Sequence, residues 1–172
     1  MITLITGGIK SGKSAYALKF CHPGLKGAFI ATADSKDSSL TVKIETHRKE
    51  REGLSLTTIE EPVKLASVIE GHESFFEIIL IDCLTLWMSN LMYFIPEKKE
   101  RDIEVNLFLN CISKLKVPCF IVTNEVGLGI IPENKLARQY QEELGNLNRK
   151  VAQISGNVFF MVSGIPMTVK SS

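Results

Sequence analysis

The sequence predicts a single α/β domain over residues 1–172, with a mostly parallel β-sheet and helices on both faces. Short apolar runs with strand character alternate along the chain with longer segments of helical periodicity. Strands joined by crossover helices pair in parallel, and such sheets bind ligands at the carboxyl ends of their strands. A glycine-rich phosphate-binding pattern directly after the first apolar run supports this class.

The first half of the chain supplies three strands and three helices. The strands are runs that are apolar throughout or that alternate apolar and polar residues, and they are predicted over residues 2–6, 27–33 and 54–59. One helix follows the glycine-rich loop, and a second occupies a charged run with apolar residues four apart. A third starts at a proline suited to the first helical position. They are predicted over residues 14–20, 38–52 and 62–70.

The second half continues the alternation. Strands are predicted over residues 76–82, 118–124 and 157–164, with an edge strand in "PMTVK" (166–170). Helices are predicted over residues 85–94, 103–115 and 134–154. The last helix has an apolar stripe formed by Leu136, Tyr140, Leu144, Leu147 and Val151. The polar stretch 96–102 is predicted to be a solvated linker.

The composition excludes several classes of partner. With 45% hydrophobic and 23% charged residues the chain resembles an ordinary globular protein. Its net charge of +1 creates no long-range field for nucleic acid or an anionic membrane, so neither is expected as a partner. Glu77 and Asp82 interrupt the apolar stretch 75–95, so we expect a strand and a helix there and no stable membrane insertion.

The cysteines indicate a reducing compartment. Cys21, Cys83, Cys111 and Cys119 form no CxxC pair and no metal-binding spacing with the histidines. Three of them lie in apolar runs and are expected to be buried free thiols. The first strand begins at residue 2 without a charged segment before it, so we expect no secretory signal and a cytoplasmic location.

The stretch "GGIKSGKS", residues 7–14, fits the P-loop pattern G-x-x-x-x-G-K-[ST]. In such a loop successive backbone N–H groups surround phosphates, and the helix that follows adds its positive end. Lys13 is expected to reach the β- and γ-phosphates, and Ser14 to bind Mg²⁺. The expected nucleotide-binding residues are Gly7, Gly8, Ile9, Lys10, Ser11, Gly12, Lys13 and Ser14. The fold is therefore predicted to be of the P-loop NTPase type.

Asp82 ends the apolar strand "EIILID". An acid at this place in P-loop proteins commonly holds the Mg²⁺. The alternative is that Asp82 caps the helix that starts near Leu84, and both roles can hold together. We favour the metal role, because the P-loop needs such a carboxylate.

The remaining motifs narrow the class of P-loop protein. Signalling GTPases read guanine with [NT]-K-x-D, whereas "TNEV" (123–126) lacks the lysine and the aspartate. No D-x-x-G switch follows the acidic strand. These absences weaken a GTPase-switch interpretation and leave a small-molecule kinase open.

A basic segment suggests a second chemistry. On a helix, Lys43, His47 and Arg51 would share one face. The neighbouring cations favour the neutral imidazole and can bind phosphate oxygens. A neutral imidazole can attack phosphorus and form a phosphoramidate. The alternative is a basic, solvated helix face.

The chain resembles the bifunctional adenosylcobinamide kinase / adenosylcobinamide-phosphate guanylyltransferase family of cobalamin nucleotide-loop assembly. The matching stretches run nearly end to end, and the block at 122–140 is long and peculiar to that family. They are "ITGGIKSGKS" (5–14), "IATA" (30–33), "KIETH" (43–47), "TIEEP" (58–62), "LIDCLTLWMSNL" (80–91), "VTNEVGLGIIPENKLARQY" (122–140), "GNLNRKVA" (145–152) and "VSGIPMTVK" (162–170).

The resemblance implies two reactions in one site. ATP or GTP phosphorylates adenosylcobinamide, with Lys13 as a catalytic residue. Separately, His47 takes GMP from GTP, and the guanylyl group passes to adenosylcobinamide phosphate, giving adenosylcobinamide-GDP. The resemblance also implies Mg²⁺, a corrinoid partner and a homo-oligomer, typically a trimer.

Further nucleotide contacts follow from the same resemblance. Their positions are Thr32, Ala33, Asp34, Arg48, Lys49, Glu50, Arg51 and Glu60. Asp82 joins these expected nucleotide-site residues from its place at the end of the apolar strand. Glu60 can accept guanine N–H groups, or it is a solvated strand-end glutamate. Asn124 and Glu125 can contact the corrinoid or the metal, or they form a turn beside Gly127 and Gly129.

Three departures from the family pattern bear on its activities. Ser39 replaces an acidic residue, Lys43 replaces an arginine and Leu56 replaces a tryptophan. Lysine keeps the charge of arginine but loses its bidentate fork. We expect these changes to alter nucleotide preference or to weaken one of the two activities, while the nucleophile and the P-loop are kept. Two other hypotheses stay open: a P-loop kinase for another small molecule with an inert His47, and a nucleotide-dependent binding or switch module without transfer chemistry.

Overall fold

The computed structural model describes residues 1–33, 51–72 and 74–172, and these residues form an α/β fold. Seven strands make one sheet in the order β3-β2-β4-β5-β1-β6-β7. The strands are β1 Ile2–Gly7, β2 Gly27–Ala31, β3 Leu56–Glu60, β4 Ile78–Asp82, β5 Cys119–Val122, β6 Asn157–Val162 and β7 Ile165–Lys170. The first six pair in parallel, and β7 pairs antiparallel with β6 at one edge. The predicted fold class and the predicted edge strand are confirmed.

Five helices lie in the described residues. They are α1 Lys13–Leu18, α2 Leu65–His72, α3 Leu84–Phe94, α4 Lys98–Lys114 and α5 Lys135–Ile154. Helix α2 begins three residues later than predicted, because the Glu61 carboxylate accepts from the backbone N–H groups of Val63 and Lys64 ahead of its first turn. Helix α5 begins as predicted, where the Asn134 side chain accepts from the Ala137 N–H.

The sheet separates two apolar layers because successive side chains of a strand point to opposite faces. On one face, strand residues such as Ile79 and Ile121 pack with α2, α3, α4 and α5 around Trp87 and Phe108. On the other face, Ile5 and Leu80 pack with α1. Helices therefore cover both faces, and the carboxyl ends of the parallel strands open along a single edge.

The apolar stretch 75–95 divides as expected. Its first part enters β4 and its second part forms α3, with Trp87 and Leu91 fully buried in the core. Throughout the described ranges, the helices lack the combination of length and apolar character needed to cross a bilayer.

Three expectations about local structure are wrong. Most of the predicted linker 96–102 is the first turn of α4. Residues 51–53 form a turn and do not continue a helix. Leu136, placed on the buried stripe of the last helix, is 62% exposed, whereas Leu144, Leu147 and Val151 are buried. The stripe reaches the core only where α5 lies against the sheet. The rest of the predicted helix 38–52 lies outside the described residues.

The four cysteines form no disulfide, and Cys21, Cys111 and Cys119 are buried as expected. Burial raises the pKa of the Cys119 thiol to about 12. Cys83 is half-buried at the start of α3.

A buried ion pair joins α4 to α5. Arg101, only 2% exposed, donates from Nε and Nη2 to the two carboxylate oxygens of Glu143, at 2.9 and 2.6 Å. Its Nη1 donates to the carbonyl oxygens of Ile95 and Pro96, which lie just before α4. The hydrogen bond to Glu143 raises the pKa of Arg101. Burial acts to raise the pKa of Glu143, but the hydrogen bonds from Arg101 and Gln139 outweigh it and leave the pKa lowered.

We expect Arg101→Met to destabilise the fold by about 3–5 kcal/mol, because it leaves the buried Glu143 carboxylate without its positive partner and two carbonyl groups without the Arg101 donor. Urea unfolding measures this change. The matched control is Lys98→Met, which removes the exposed ion pair with Asp102 and should cost less than about 1 kcal/mol. Equal losses in the two variants would show that the buried pair is not a main support of the α4–α5 contact.

The stability difference between wild type and Arg101→Met should depend on pH. The pKa of Glu143 is lowered in the folded protein, so its ion pair contributes fully above the ordinary glutamate pKa of about 4.3. That contribution is lost as the pH falls through the lowered pKa. Unfolding of both proteins between pH 7 and pH 3 should show the difference shrinking towards acid, and a constant difference would contradict this assignment.

Candidate functional site

The P-loop lies at the carboxyl end of β1 and requires glycine at its first position. Gly7 has a positive φ of 148°, and a Cβ there would lie 2.5 Å from the Met161 carbonyl oxygen and 2.9 Å from Ser11 Oγ. Gly12, with φ of 89°, packs against the backbone of Gly164 in the β6–β7 turn. A side chain at Gly7 would push the loop away from β6.

Hydrogen bonds from both sides fix this loop. The Gly164 N–H donates to the Ser11 carbonyl oxygen at 3.0 Å, and the Glu125 N–H donates to the Gly7 carbonyl oxygen at 3.1 Å. The P-loop is thus held between the β6–β7 turn and the segment that follows β5.

The polar groups of the P-loop differ in exposure. Lys13 is 7% exposed, and its Nζ donates to the Gly8 carbonyl oxygen at 2.6 Å. Ser14 is half-buried in the first turn of α1, whereas Ile9 and Lys10 point into solvent. Ser11 Oγ is buried and lacks a hydrogen-bond partner within the described part of the chain. A flexible ammonium group inside a backbone loop is suited to binding phosphate oxygens.

Asp82 is the last residue of β4 and is half-buried. Strand pairing places it in a row across five adjacent strands, in the order Glu60, Ala31, Asp82, Val122, Ile5. Two strand spacings, about 10 Å, separate Asp82 from β1 at this level. The row brings Asp82 to the same edge of the sheet as the P-loop.

The alternative role of Asp82 as a helix cap is not observed. The residue at the cap position of α3 is Cys83, which makes no side-chain capping hydrogen bond. The Asp82 carboxylate is therefore not used to start α3.

Thr32 and Ala33 follow β2 at the same edge. Thr32 is fully buried, and its hydroxyl both donates to the Cys83 carbonyl oxygen and accepts from the Cys83 N–H, at 2.7 and 2.8 Å. Its own N–H donates to the Asp82 carbonyl oxygen. The Thr32 side chain thus joins β2 to β4, and the half-buried Ala33 lies next to this joint.

Glu60 and Arg51 have different surroundings. Glu60 is exposed at the end of β3, beside Ala31 of β2. Arg51 is 9% exposed, with its guanidinium 3.8 Å from the centre of the Phe29 ring and a donated hydrogen bond to Thr58 Oγ1. The structure therefore brings Glu60 to the edge of the sheet that carries the P-loop, and packs Arg51 on the β2–β3 pair.

Five of the expected site residues lie outside the described residues. They are Asp34, His47, Arg48, Lys49 and Glu50. Lys43 and Ser39, where the chain departs from the family pattern, lie in the same stretch.

Hydrogen bonds that the sequence analysis did not predict hold the carboxyl ends of the strands together. Tyr140 donates its hydroxyl to the Thr85 carbonyl oxygen, and Thr85 Oγ1 accepts from the Asn124 N–H. Burial raises the pKa of Tyr140. The buried Asn148 amide accepts from the Thr123 hydroxyl and donates to the Asn124 carbonyl oxygen. The signal for Asn148 in the sequence is an amide beside Leu147 on an otherwise apolar stripe.

Helix α3 contributes further bonds of this kind. Asn90 Nδ2 donates to the carbonyl oxygens of Thr32 and Pro62, and Trp87 Nε1 donates to that of Val63. The Glu125 carboxylate accepts from the Gly127 N–H, which is the turn-forming role weighed for it. An edge that combines a phosphate-binding loop with the carboxylate of Asp82 can position a polyphosphate for attack at one of its phosphorus atoms.

Comparisons with known proteins agree along nearly the whole chain. Residues 3–169 match the model of the family described as cobinamide kinase / cobinamide phosphate guanyltransferase. The bifunctional adenosylcobalamin biosynthesis protein CobP of Pseudomonas aeruginosa is 36% identical over 171 residues, covering 99% of this chain and 98% of the relative. The bifunctional adenosylcobalamin biosynthesis protein CobU of Escherichia coli is 30% identical over 182 residues, covering 99% of this chain and all of the relative.

Among solved structures, a KaiC-like protein of Pyrococcus horikoshii is similar with a TM-score of 0.53. The match covers 92% of this chain and 69% of that one at 14% identity, so it bears on the fold alone. The family match and the two full-length relatives carry the assignment. The chain belongs to the cobinamide kinase / cobinamide phosphate guanyltransferase family, a family of enzymes.

Proposed function

We propose that the chain is one bifunctional P-loop domain that phosphorylates adenosylcobinamide with ATP or GTP and then converts adenosylcobinamide phosphate to adenosylcobinamide-GDP. The observation that carries the proposal is the fixed P-loop with Lys13 buried inside it, in a chain that matches the family from residue 3 to residue 169. Both reactions require a nucleoside triphosphate whose phosphates are held in one place.

In the kinase reaction, the hydroxyl oxygen of the corrinoid side chain attacks the γ-phosphorus. The bond from that phosphorus to the β,γ-bridging oxygen breaks, the nucleoside diphosphate leaves, and the hydroxyl proton passes to water. Lys13 and the backbone N–H groups of residues 8–14 bind the phosphate oxygens. They serve this step because negative charge shifts towards the leaving oxygen as the bond breaks.

In the transferase reaction, a ring nitrogen of His47 attacks the α-phosphorus of GTP, and pyrophosphate leaves. A phosphate oxygen of adenosylcobinamide phosphate then attacks the same phosphorus. The phosphorus–nitrogen bond breaks, and the imidazole is regenerated. Attack at two different phosphorus atoms of one bound triphosphate explains how a single P-loop serves both reactions.

The chain's donors fit Mg²⁺. The Ser14 hydroxyl and the Asp82 carboxylate are hard oxygen ligands, and Mg²⁺ in nucleotide sites commonly takes one or two protein oxygens together with phosphate oxygens and water. The described residues contain no cluster of three or more metal-binding side chains, in keeping with a metal that arrives with the nucleotide. When bound, Mg²⁺ would neutralise phosphate charge, and Ser14 and Asp82 would hold it.

The remaining parts of the proposal concern guanine recognition, the oligomeric state and the cellular location. Glu60 accepts guanine N–H groups, supported by its exposure at the end of β3. A homo-oligomer, a trimer by the family resemblance, is supported by the exposed apolar side chains Ile165, Met167 and Val169 on edge strand β7. A cytoplasmic location is supported by four cysteines that form no disulfide.

His47→Ala should abolish covalent guanylylation, because it removes the attacking nitrogen. The measurement is incubation with Mg²⁺ and GTP labelled at the α-phosphorus, followed by denaturation and counting of protein-bound label. Wild type should carry acid-labile, base-stable label, and the variant none above background. His22→Ala, at an exposed histidine after α1, is the matched control and should label like wild type.

An unlabelled wild type that still transfers the γ-phosphate would contradict the guanylyltransferase half. The enzyme would then be a P-loop kinase with an inert His47. The first variant to make would then be Lys43→Arg, which restores the arginine of the family pattern near the histidine.

Asp82→Asn should lower both reactions about 100-fold, because an amide binds Mg²⁺ far more weakly than a carboxylate. Rates of γ-phosphate transfer and of label incorporation measure the two losses. Glu61→Gln is the matched control on a neighbouring loop, since the glutamine oxygen can still accept from the Val63 and Lys64 N–H groups. Unchanged rates in Asp82→Asn would show that the Asp82 carboxylate does not bind the metal.

A further inference from the structure

Asn90 on α3 makes two hydrogen bonds through a single nitrogen. Its Nδ2 lies 2.7 Å from the Thr32 carbonyl oxygen and 3.1 Å from the Pro62 carbonyl oxygen. Both partners are carbonyl groups and can only accept, so the amide nitrogen with its two hydrogens must face them. Aspartate would set a carboxylate against two carbonyl oxygens, and an apolar residue would leave both carbonyl groups without a donor.

The two carbonyl groups belong to the ends of adjacent strands. Thr32 follows β2 directly, and Pro62 lies between β3 and α2. Strands β2 and β3 pair in parallel up to Ala31 and Glu60, and the Glu61 N–H donates to the Ala31 carbonyl oxygen just beyond that pair. Asn90 therefore holds side by side the two chain segments that leave the sheet at this point.

These segments lie away from the phosphate site. The P-loop follows β1, whereas β2 and β3 are three and four strands distant in the sheet. At the usual spacing between strands the separations are about 14 and 19 Å. In the described residues, Asn90 has no hydrogen bond to the P-loop, to Lys13 or to Asp82. Thr32 is also hydrogen-bonded to Asp82 and Cys83 of the β4 end, so a change at Asn90 should leave intact the contacts that the P-loop itself makes with phosphate.

We propose that Asn90 is a positioning residue for the nucleoside part of the bound nucleotide. It fixes the distance between the Thr32–Ala33 segment and the Glu60 strand end, and these two segments line the nucleoside. This inference rests on the proposed function in one respect, namely that the nucleoside extends from the P-loop over β4 towards β2 and β3. A misplacement of either segment weakens binding of the nucleoside and spares binding of the phosphates.

The test compares the binding of two ligands, GDP and inorganic pyrophosphate. Both are measured by calorimetric titration in the presence of Mg²⁺. Pyrophosphate carries the diphosphate without the nucleoside. In Asn90→Ala the Kd for GDP should rise about tenfold, as expected for the loss of two supporting hydrogen bonds, while the Kd for pyrophosphate stays within about twofold. A residue with a purely structural role would weaken both ligands alike or neither.

Two further variants control for loss of stability. Trp87→Phe removes the hydrogen bond from the same helix to the Val63 carbonyl oxygen and leaves a cavity in the core, but it touches neither Thr32 nor Pro62. The ratio of its two Kd values should equal that of wild type. Asn90→Ser keeps one donor and should give an intermediate ratio, and it decides the test if Asn90→Ala does not fold.

Three outcomes overturn the inference. They are an unchanged GDP affinity in the Asn90 variants, an equal loss for both ligands, and a wild type that binds GDP no more tightly than pyrophosphate. None of these outcomes bears on the proposed transfer chemistry, because the covalent-labelling experiment with GTP tests it independently. Label on wild type together with an equal loss of both ligands would leave the proposed function standing and remove Asn90 from the site.

Discussion

The site depends on the close approach of three stretches of backbone around the P-loop. The loop itself, the β6–β7 turn and the segment after β5 meet at Gly7, Gly12 and Gly164, where a Cβ at Gly7 would collide with the Met161 carbonyl oxygen. Hydrogen bonds between backbone groups then hold the loop, and Lys13 Nζ adds one to the Gly8 carbonyl oxygen. The parallel sheet makes this possible, because it delivers the carboxyl ends of its strands to one edge and aligns Asp82 with the P-loop strand.

Helix α3 converts this edge into a rigid frame. Its apolar face, with Trp87 and Leu91, is buried in the main core. Its polar groups at Trp87 and Asn90 hold the backbone carbonyls of the neighbouring connections. Because buried carbonyl groups without donors are costly, these bonds restrict the connections to one arrangement. The same helix begins two residues after Asp82. It therefore positions both the Asp82 carboxylate and the ends of β2 and β3.

The sequence was sufficient for the parts of the fold that repeat a simple pattern. Strand β4 is an unbroken apolar run, and α5 combines an Asn134 cap with an apolar stripe. Pattern alone could not find α4's first turn, because its main anchor is an ion pair between Arg101 and Glu143, 42 residues apart. It also could not show that Leu136 is exposed although it shares the stripe with buried residues.

The same contrast holds for the candidate site. The P-loop pattern and the strand-end Asp82 are local signals, and both stand at the predicted edge. The part played by Asn90 depends on two carbonyl groups 58 and 28 residues away, which no local pattern reveals. The roles of His47 and of its neighbours remain predictions from the family resemblance, since that stretch lies outside the described residues.

The buried position of Cys119 has a consequence for how the enzyme tolerates oxidants. With a pKa of about 12 and no solvent exposure, this thiol stays protonated, and thiolates are the species that peroxides attack. The start of β5, at the centre of the sheet, is thereby shielded from sulfenic acid formation and from mixed disulfides. Among the four cysteines Cys83 alone is half-buried, so an oxidant in solution would meet it before Cys119, at the end of β4 where Asp82 also lies.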